Sequence, residues 1–161
     1  MRFSYGLLAA CALGLMGAAA NAPAMQVRDA WVRWLPGNLP AGGYVTLING
    51  SDRPISLITA SSPDYALVSM HRTLTAAGIS QMLPVDKITV EAHSAVEFGA
   101  QGYHLMLERP TRSLRPGDRV SVTLQFAGSP ALTATLVLRE PAAGSETPET
   151  TEMPGMPETR H

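Results

Sequence analysis

Short segments of alternating apolar and polar residues follow one another from residue 26 to residue 139. Nearly all are five to nine residues long, and Gly, Pro, Asn, Asp or Ser bounds them. Alternation with a period of two is typical of strands with one buried face, and no long stretch has helical spacing, so the pattern predicts an all-β sandwich or barrel. The predicted strands are Gln26–Trp34, Tyr44–Asn49, Ile55–Ala60, Ala66–Arg72, Ile79–Leu83, Ile88–Glu91, Ala95–Phe98, Tyr103–Glu108, Arg119–Phe126 and Leu132–Arg139.

Residues 1–24 differ from the predicted strands and match a secretory signal peptide. Arg2 precedes an uncharged apolar run, and small residues follow it. We expect cleavage after Ala24 and export to the periplasm. A membrane anchor is less favoured, because the run is shorter than the roughly 20 residues that span a bilayer. A lipoprotein cleavage box ending at Cys11 is also less favoured, because the apolar run before it is too short.

The other end of the chain, residues 141–161, contains four prolines, four glutamates and no aromatic residue. Such a segment buries too little apolar surface to offset the entropy of ordering it. The sequence therefore predicts three parts: a signal peptide at 1–24, a β-domain at 25–140 and a disordered tail at 141–161.

Composition narrows the function further. A chain of 161 residues with net charge −1 favours one domain and lacks the basic excess of a nucleic-acid-binding protein. The single cysteine, Cys11, lies in the predicted signal, so the mature chain has no disulfide and no cysteine ligand. No GxSxG element is present, and we do not expect an enzyme.

Two histidines and two methionines of the predicted β-domain form the spacing H-x10-M-x21-H-x-M: His71, Met82, His104 and Met106. His104 and Met106 lie two apart in one predicted strand, so they face the same side, and the leucines beside them face the core. His71 and Met82 each end a strand and are candidates for the other half of a site.

The residue types in this set favour one metal. Thioether sulfur is a soft, neutral ligand that selects Cu(I), and imidazole also binds copper well. The sequence therefore predicts a Cu(I) site, and the absence of a thiolate argues against a blue-copper electron carrier. A different interpretation treats the methionines as core and the histidines as surface residues of a metal-free immunoglobulin-like interaction domain.

In combination, several motifs of this chain resemble the periplasmic copper chaperones of the PCu(A)C type. The resemblance covers Val27 to Leu138 and includes the histidine and methionine spacing. The matching pieces are Asp29–Arg33, Gly43–Asn49, His71, Gly78–Met82, Gly102–Leu107 and Leu114–Asp118.

The resemblance implies a cupredoxin-like Greek-key β-sandwich with one exposed Cu(I) site, whose ligands by position are His71, Met82, His104 and Met106. It also implies copper delivery to the binuclear copper centre of cytochrome c oxidase subunit II, alongside a thioredoxin-like chaperone of the Sco type. We expect the mature form to be a soluble monomer. General periplasmic copper storage or tolerance is the alternative within the same chemistry.

The remaining chemistry-bearing residues have plainer interpretations. We expect Met70 in the core, His93 on a surface turn, and Trp31 and Tyr103 in packing roles. Four arginines after the second half-site form either a solvated loop or a basic rim for an acidic partner: Arg109, Arg112, Arg115 and Arg119. The tail offers a possible secondary copper site, with Cu(II) as a candidate ion, at Met153, Met156 and His161; an inert tail is equally compatible with the sequence.

Overall fold

A computed structural model describes residues 24–37 and 39–141 of the chain. Every predicted strand is present, with small changes at the ends, and no helix occurs in these residues. The predicted signal peptide and most of the predicted tail lie outside them. The strands are β1 (Met25–Arg33), β2 (Ala41–Asn49), β3 (Ile55–Ser61), β4 (Tyr65–Ala76), β5 (Ile79–Pro84), β6 (Ile88–Val90), β7 (Ser94–Glu97), β8 (Tyr103–Pro110), β9 (Arg119–Phe126) and β10 (Ser129–Arg139).

The strands pair along one path, in the order β5-β4-β8-β2-β1-β10-β9-β3-β6. β1 and β10 are parallel, whereas the other pairs are antiparallel. The last part of β2 pairs with β7 and its first part with β8, so two successive strands share one edge of β2. This path encloses one apolar core, and the prediction of an all-β sandwich is confirmed.

Alternation along the strands builds that core. Val120, Val122 and Leu124 of β9 are buried and the residues between them are not. In β8, Leu105 and Leu107 are fully buried, as their spacing predicted. Met70 of β4 is also a core residue. The opposite face of β4 and β8 is therefore available for polar side chains.

An extra residue in β1 sets which of its side chains reach that outer face. The pairing of β1 with β2 shifts between Arg28 and Trp31, and Asp29 has a left-handed backbone with φ of 50°. A β-bulge of this kind changes the face on which the following residues lie. As a result, Trp31 is directly opposite Tyr44 of β2.

β2 begins at Ala41, three residues before the predicted start. The sequence did not indicate this extension, because Gly42 and Gly43 have little strand propensity of their own. A Cβ at Gly43 would lie 2.7 Å from a methyl carbon of Leu107, so close approach of β2 and β8 requires glycine there. Among residues 24–37 and 39–141, no helix is long and apolar enough to cross a membrane.

Candidate metal centre

The structure brings the two predicted histidine ligands next to each other. His71 of β4 and His104 of β8 are register partners, and their ring centroids lie 5.9 Å apart with the planes inclined by 24°. The leucine and methionine beside them in the chain, Leu105 and Met70, are paired on the core face. Both imidazoles therefore lie on the outer face of the sheet.

The two predicted methionine ligands lie on either side of this histidine pair. Met106 is opposite Ser69, one outward-facing position before the pair along β4. Met82 of β5 is opposite Thr73, one outward-facing position after it. Because alternate residues of paired strands share a face, all four side chains project from the same side of the sheet.

Hydrogen bonding fixes the tautomer of His104. Its Nδ1 lies 3.2 Å from the carbonyl oxygen of Gly102, which can only accept, so Nδ1 carries the proton. The neutral ring then has its lone pair on Nε2. This nitrogen is buried and has no hydrogen-bond partner. A buried lone pair without a partner is costly unless something else binds it, and a metal ion would do so.

His71 has the complementary arrangement. Its Nε2 lies 3.0 Å from the hydroxyl oxygen of Ser69, and its Nδ1 is buried without a hydrogen-bond partner. If Nε2–H donates to the serine, the free lone pair lies on Nδ1. Each histidine thus has one nitrogen held by a neighbour and one available to a metal, the arrangement expected of metal-binding histidines.

The environment of His71 also favours the neutral form of its ring. Burial lowers the pKa of His71 below its usual value, and the neighbouring His104 lowers it further, while Glu108 acts in the opposite direction. A neutral imidazole is the form that binds a metal, so this shift favours metal binding over protonation at His71.

Exposure is uneven across the four residues. His104 is only 4% exposed, whereas Met82 is 50% exposed on the edge strand β5. Met82, His104 and Met106 line one pocket of about 270 Å³. The site is therefore open mainly on the Met82 side rather than exposed as a whole.

The same pocket contains residues that the sequence did not indicate as part of a site, including Arg33, Gly42 and Tyr44. Ser69 was missed as well, although it lies two residues before His71 and so on the same strand face. The consecutive glycines at the start of β2 could have indicated that this strand borders the site, because glycine in a strand often marks the close approach of a ligand or of another part of the chain.

His93, Trp31 and Tyr103 have the positions expected of a surface residue and of two packing residues. His93 is exposed on a turn and its Nε2 lies 2.7 Å from a carboxylate oxygen of Asp52, away from the metal centre. The ring of Trp31 packs against that of Tyr44, with the centroids 4.5 Å apart and the planes inclined by 38°, and Tyr103 packs near Phe98.

The four arginines do not form a uniformly free basic rim. Arg112 donates from Nε to Asp64 at 2.8 Å and from a terminal nitrogen to the carbonyl of Arg119 at 2.9 Å. The tail residues Met153, Met156 and His161 lie outside the described residues.

The described part of the chain contains no group of three or more His, Cys, Asp or Glu residues placed to hold a metal. A hard cation such as Ca²⁺ or Mg²⁺ needs several oxygen ligands, which the pair of histidines does not supply. The donor set formed by two imidazoles and two thioethers instead suits a soft monovalent ion.

Comparison with known proteins agrees with this geometry. A family model described as "Putative lipoprotein LpqE-like" matches residues 25–138. The chain belongs to the LpqE-like family. The uncharacterized protein RP573 of Rickettsia prowazekii is 30% identical over 84 residues, covering 52% of this chain and 46% of that protein, so the match spans about half of that curated relative.

Solved PCuAC domains have the same fold as this LpqE-like chain. The copper-bound PCuAC domain from PmoF2 is 25% identical, with 73% of this chain and 94% of that domain covered and a TM-score of 0.62. The solution structure of Cu(I)-DR1885 from Deinococcus radiodurans is 25% identical, with 76% and 81% covered and a TM-score of 0.58. The predicted cupredoxin-like fold and the resemblance to the PCu(A)C type are thereby confirmed.

Proposed function

We propose that this protein is a Cu(I) chaperone that holds one copper ion between His71, Met82, His104 and Met106. The observation that carries the proposal is the pair of buried imidazole nitrogens without hydrogen-bond partners, Nδ1 of His71 and Nε2 of His104. They belong to facing rings on the side of the sheet from which both thioethers project. Copper is the cargo here, and no catalytic step is involved.

The chemistry of the set supports Cu(I) over other ions. Two neutral imidazoles and two neutral thioethers add no negative charge, which suits a monovalent soft cation better than Zn²⁺ or Ca²⁺. Two neighbours in fold, the PmoF2 domain and DR1885, have structures with copper bound, and the latter holds Cu(I). The same cargo for this chain agrees with the donor set.

The uneven exposure of the ligands favours transfer over storage. Met82 is half-exposed on edge strand β5, so an acceptor's ligand can displace it first while the histidines still hold the ion. Stepwise exchange of this kind needs no fully free copper. The proposed acceptor is the binuclear copper centre of cytochrome c oxidase subunit II, with a Sco-type thioredoxin-like chaperone as the accompanying protein.

The proposal includes an extracytoplasmic location. Residues 1–24 are proposed as a cleavable signal peptide that sends a soluble, monomeric form to the periplasm. The family name describes lipoproteins, so attachment through Cys11 is the competing arrangement. The mass of the exported protein separates the two, because cleavage after Ala24 leaves Met25 first, whereas lipidation retains Cys11 and adds acyl mass.

Anaerobic titration of the exported protein with Cu(I) tests the site. We expect one tight equivalent, with two sulfur and two nitrogen neighbours in X-ray absorption spectra. The double variant His104→Ala/Met106→Ala should remain folded and lose tight binding. His93→Ala is the matched control, since His93 is an exposed histidine outside the site. Tight binding by the double variant would refute the assignment, and no copper uptake by the wild type would favour a metal-free interaction domain.

A second experiment separates delivery from storage. The Cu(I)-loaded protein is mixed with the apo form of the copper-binding domain of oxidase subunit II, and copper is followed by the visible spectrum of the oxidised acceptor. Transfer of the bound equivalent supports the chaperone role. Retention of copper by the loaded protein, together with uptake of several equivalents, would instead favour storage or tolerance.

A further inference from the structure

The wall of the metal pocket on the Met106 side is formed by an aromatic side chain that no predicted site contained. Tyr44 of β2 is 7% exposed and lines the pocket together with Met82, His104 and Met106. It faces outward, because Val45 and Gly43 on either side of it are buried on the core face. A large buried ring on the outer face of the sheet therefore borders the metal site.

Glycine at position 42 determines where this ring lies. A Cβ placed on Gly42 would lie 2.7 Å from the hydroxyl oxygen of Tyr44 and 3.1 Å from its Cζ. The phenol is therefore folded back along β2 and covers the backbone of Gly42. Gly42 is the register partner of Met106. The phenol lies next to the position that a Cβ of residue 42 would take. The Cβ atoms of directly paired residues lie about 4.5–5.5 Å apart, so the phenol lies beside the base of the Met106 side chain.

The ring is held in this position from its other side. Trp31, opposite Tyr44 on β1, has its ring centroid 4.5 Å from that of Tyr44. The guanidinium of Arg139 lies over Trp31, with Cζ 5.5 Å from the ring centroid. This row of arginine, tryptophan and tyrosine side chains crosses β10, β1 and β2 and ends at the metal pocket. The aromatic pair, inclined by 38°, and the cation–π contact restrict the motion of the tyrosine ring.

We propose that Tyr44 is a positioning residue of the metal site, resting on the copper function proposed above. Its ring supports the Met106 thioether on one side and keeps water from the ion. Apolar surroundings control solvent access and hence the reduction potential of a bound metal. Water is a hard ligand that stabilises Cu(II), so the wall raises the preference of the site for Cu(I).

Three variants test the role of the ring in the exported protein. Tyr44→Ala removes the wall. Gly42→Ala keeps the tyrosine and moves its ring, because the added methyl group meets only the end of that side chain. Tyr44→Phe keeps the ring and removes the hydroxyl. Cu(I) and Cu(II) affinities are measured by chelator competition, and the ε-methyl NMR signals of Met82 and Met106 are followed during Cu(I) addition.

We expect Tyr44→Ala and Gly42→Ala to lower Cu(I) affinity about tenfold or more. The reduction potential should fall, and the Met106 methyl should lose its copper-induced shift while the Met82 methyl retains it. Tyr44→Phe should keep the wild-type reduction potential and the copper-induced shifts of both methionine methyl groups. Circular dichroism checks folding, and Gly42→Ala decides the question if Tyr44→Ala fails to fold.

Two results would overturn the inference. If Tyr44→Ala and Gly42→Ala both keep the wild-type reduction potential and the wild-type copper-induced shift of the Met106 methyl, the ring positions nothing. An equal loss in Tyr44→Phe would show that the hydroxyl, rather than the wall, is the active feature. Failure of the wild-type protein to bind Cu(I) would instead refute the proposed function, and is seen before any variant is made.

Discussion

His71 and His104 face each other across β4 and β8, and each has one ring nitrogen held by a neighbour and one buried nitrogen without a partner. The nitrogens are opposite in kind: Nε2 is held in His71 and Nδ1 in His104. The two rings would thus bind a metal through different nitrogens, Nδ1 in His71 and Nε2 in His104. The local hydrogen bonds, rather than the histidines alone, define how a metal would be held.

Ser69 is the residue that orients His71, and its removal gives a direct test. Ser69→Ala deletes the hydroxyl that lies 3.0 Å from Nε2, so the ring loses the hydrogen bond that holds it in this orientation. We expect Cu(I) affinity to fall about tenfold, as for other residues that support metal ligands. Ser56→Ala is the control, because its hydroxyl bonds to Thr89 on β6, away from the site. Equal affinities for the two variants would contradict the role of Ser69.

The lowered pKa of His71 predicts how the apo-protein responds to acid. Between the folded-state pKa and the usual value of 6.5, the unfolded chain binds more protons than the folded one, so the free energy of unfolding rises with pH across this window. Below the folded-state pKa, His71 is protonated in both the folded and the unfolded chain, so it causes no further decrease in the free energy of unfolding. Urea unfolding of the metal-free protein at a series of pH values measures the slope.

His71→Gln is the comparison for that measurement, because glutamine does not titrate. The variant should show a flatter dependence of unfolding free energy on pH between the folded-state pKa and 6.5. A curve parallel to that of the wild type would mean that another group causes the change in stability.

Much of the fold and the main features of the candidate site follow from local patterns in the sequence. Alternation placed Leu105 and Leu107 in the core, and so placed His104 and Met106 on the outer face before any strand pairing was known. Turn residues marked the ends of the strands, and all ten strands are present. These features depend on neighbours close in the chain.

The features that the sequence did not reveal depend on partners distant in the chain. β2 starts at Ala41 because Gly43 allows close packing on Leu107, and strand propensity alone does not contain that contact. The position of Tyr44 depends on the pairing of β2 with β1 and β8 and on the bulge at Asp29. Strand order had to be known before Gly42 and Tyr44 could be assigned to the metal pocket.

Asp64 provides a test that separates stability from metal binding. It accepts hydrogen bonds from Arg112 Nε at 2.8 Å and from the backbone amide of Ser121 at 2.9 Å, and so ties the start of β4 to β9. Burial acts to raise the pKa of Asp64, but the two hydrogen bonds and the positive charge of Arg112 together outweigh it and lower the pKa below its usual value of 3.8. The carboxylate therefore stabilises the fold above that value, and this contribution is lost as the pH falls through the folded-state pKa.

Asp64→Asn should lower the free energy of unfolding at neutral pH by about 1–3 kcal/mol. An amide nitrogen replaces one of the two accepting oxygens, so one of the two donors, Arg112 Nε or the Ser121 amide, loses its acceptor. Cu(I) affinity should stay at the wild-type value, since Asp64 does not line the metal pocket. Chemical denaturation and chelator competition measure the two quantities on the same samples. A parallel loss of copper affinity would show that the β4–β9 connection also shapes the metal centre.

The tail gives the last prediction, because Met153, Met156 and His161 are proposed as a second and weaker copper site. A protein ending at Arg139 retains all ten strands and the four proposed ligands. We expect it to keep the tight Cu(I) equivalent with unchanged affinity and to lose a weaker equivalent, measured separately with Cu(I) and Cu(II). The double variant Met153→Ala/Met156→Ala in the full chain should lose the weaker Cu(I) binding in the same way, since the thioethers are its soft ligands. Unchanged stoichiometry for both ions after truncation would leave the tail with no role in copper binding.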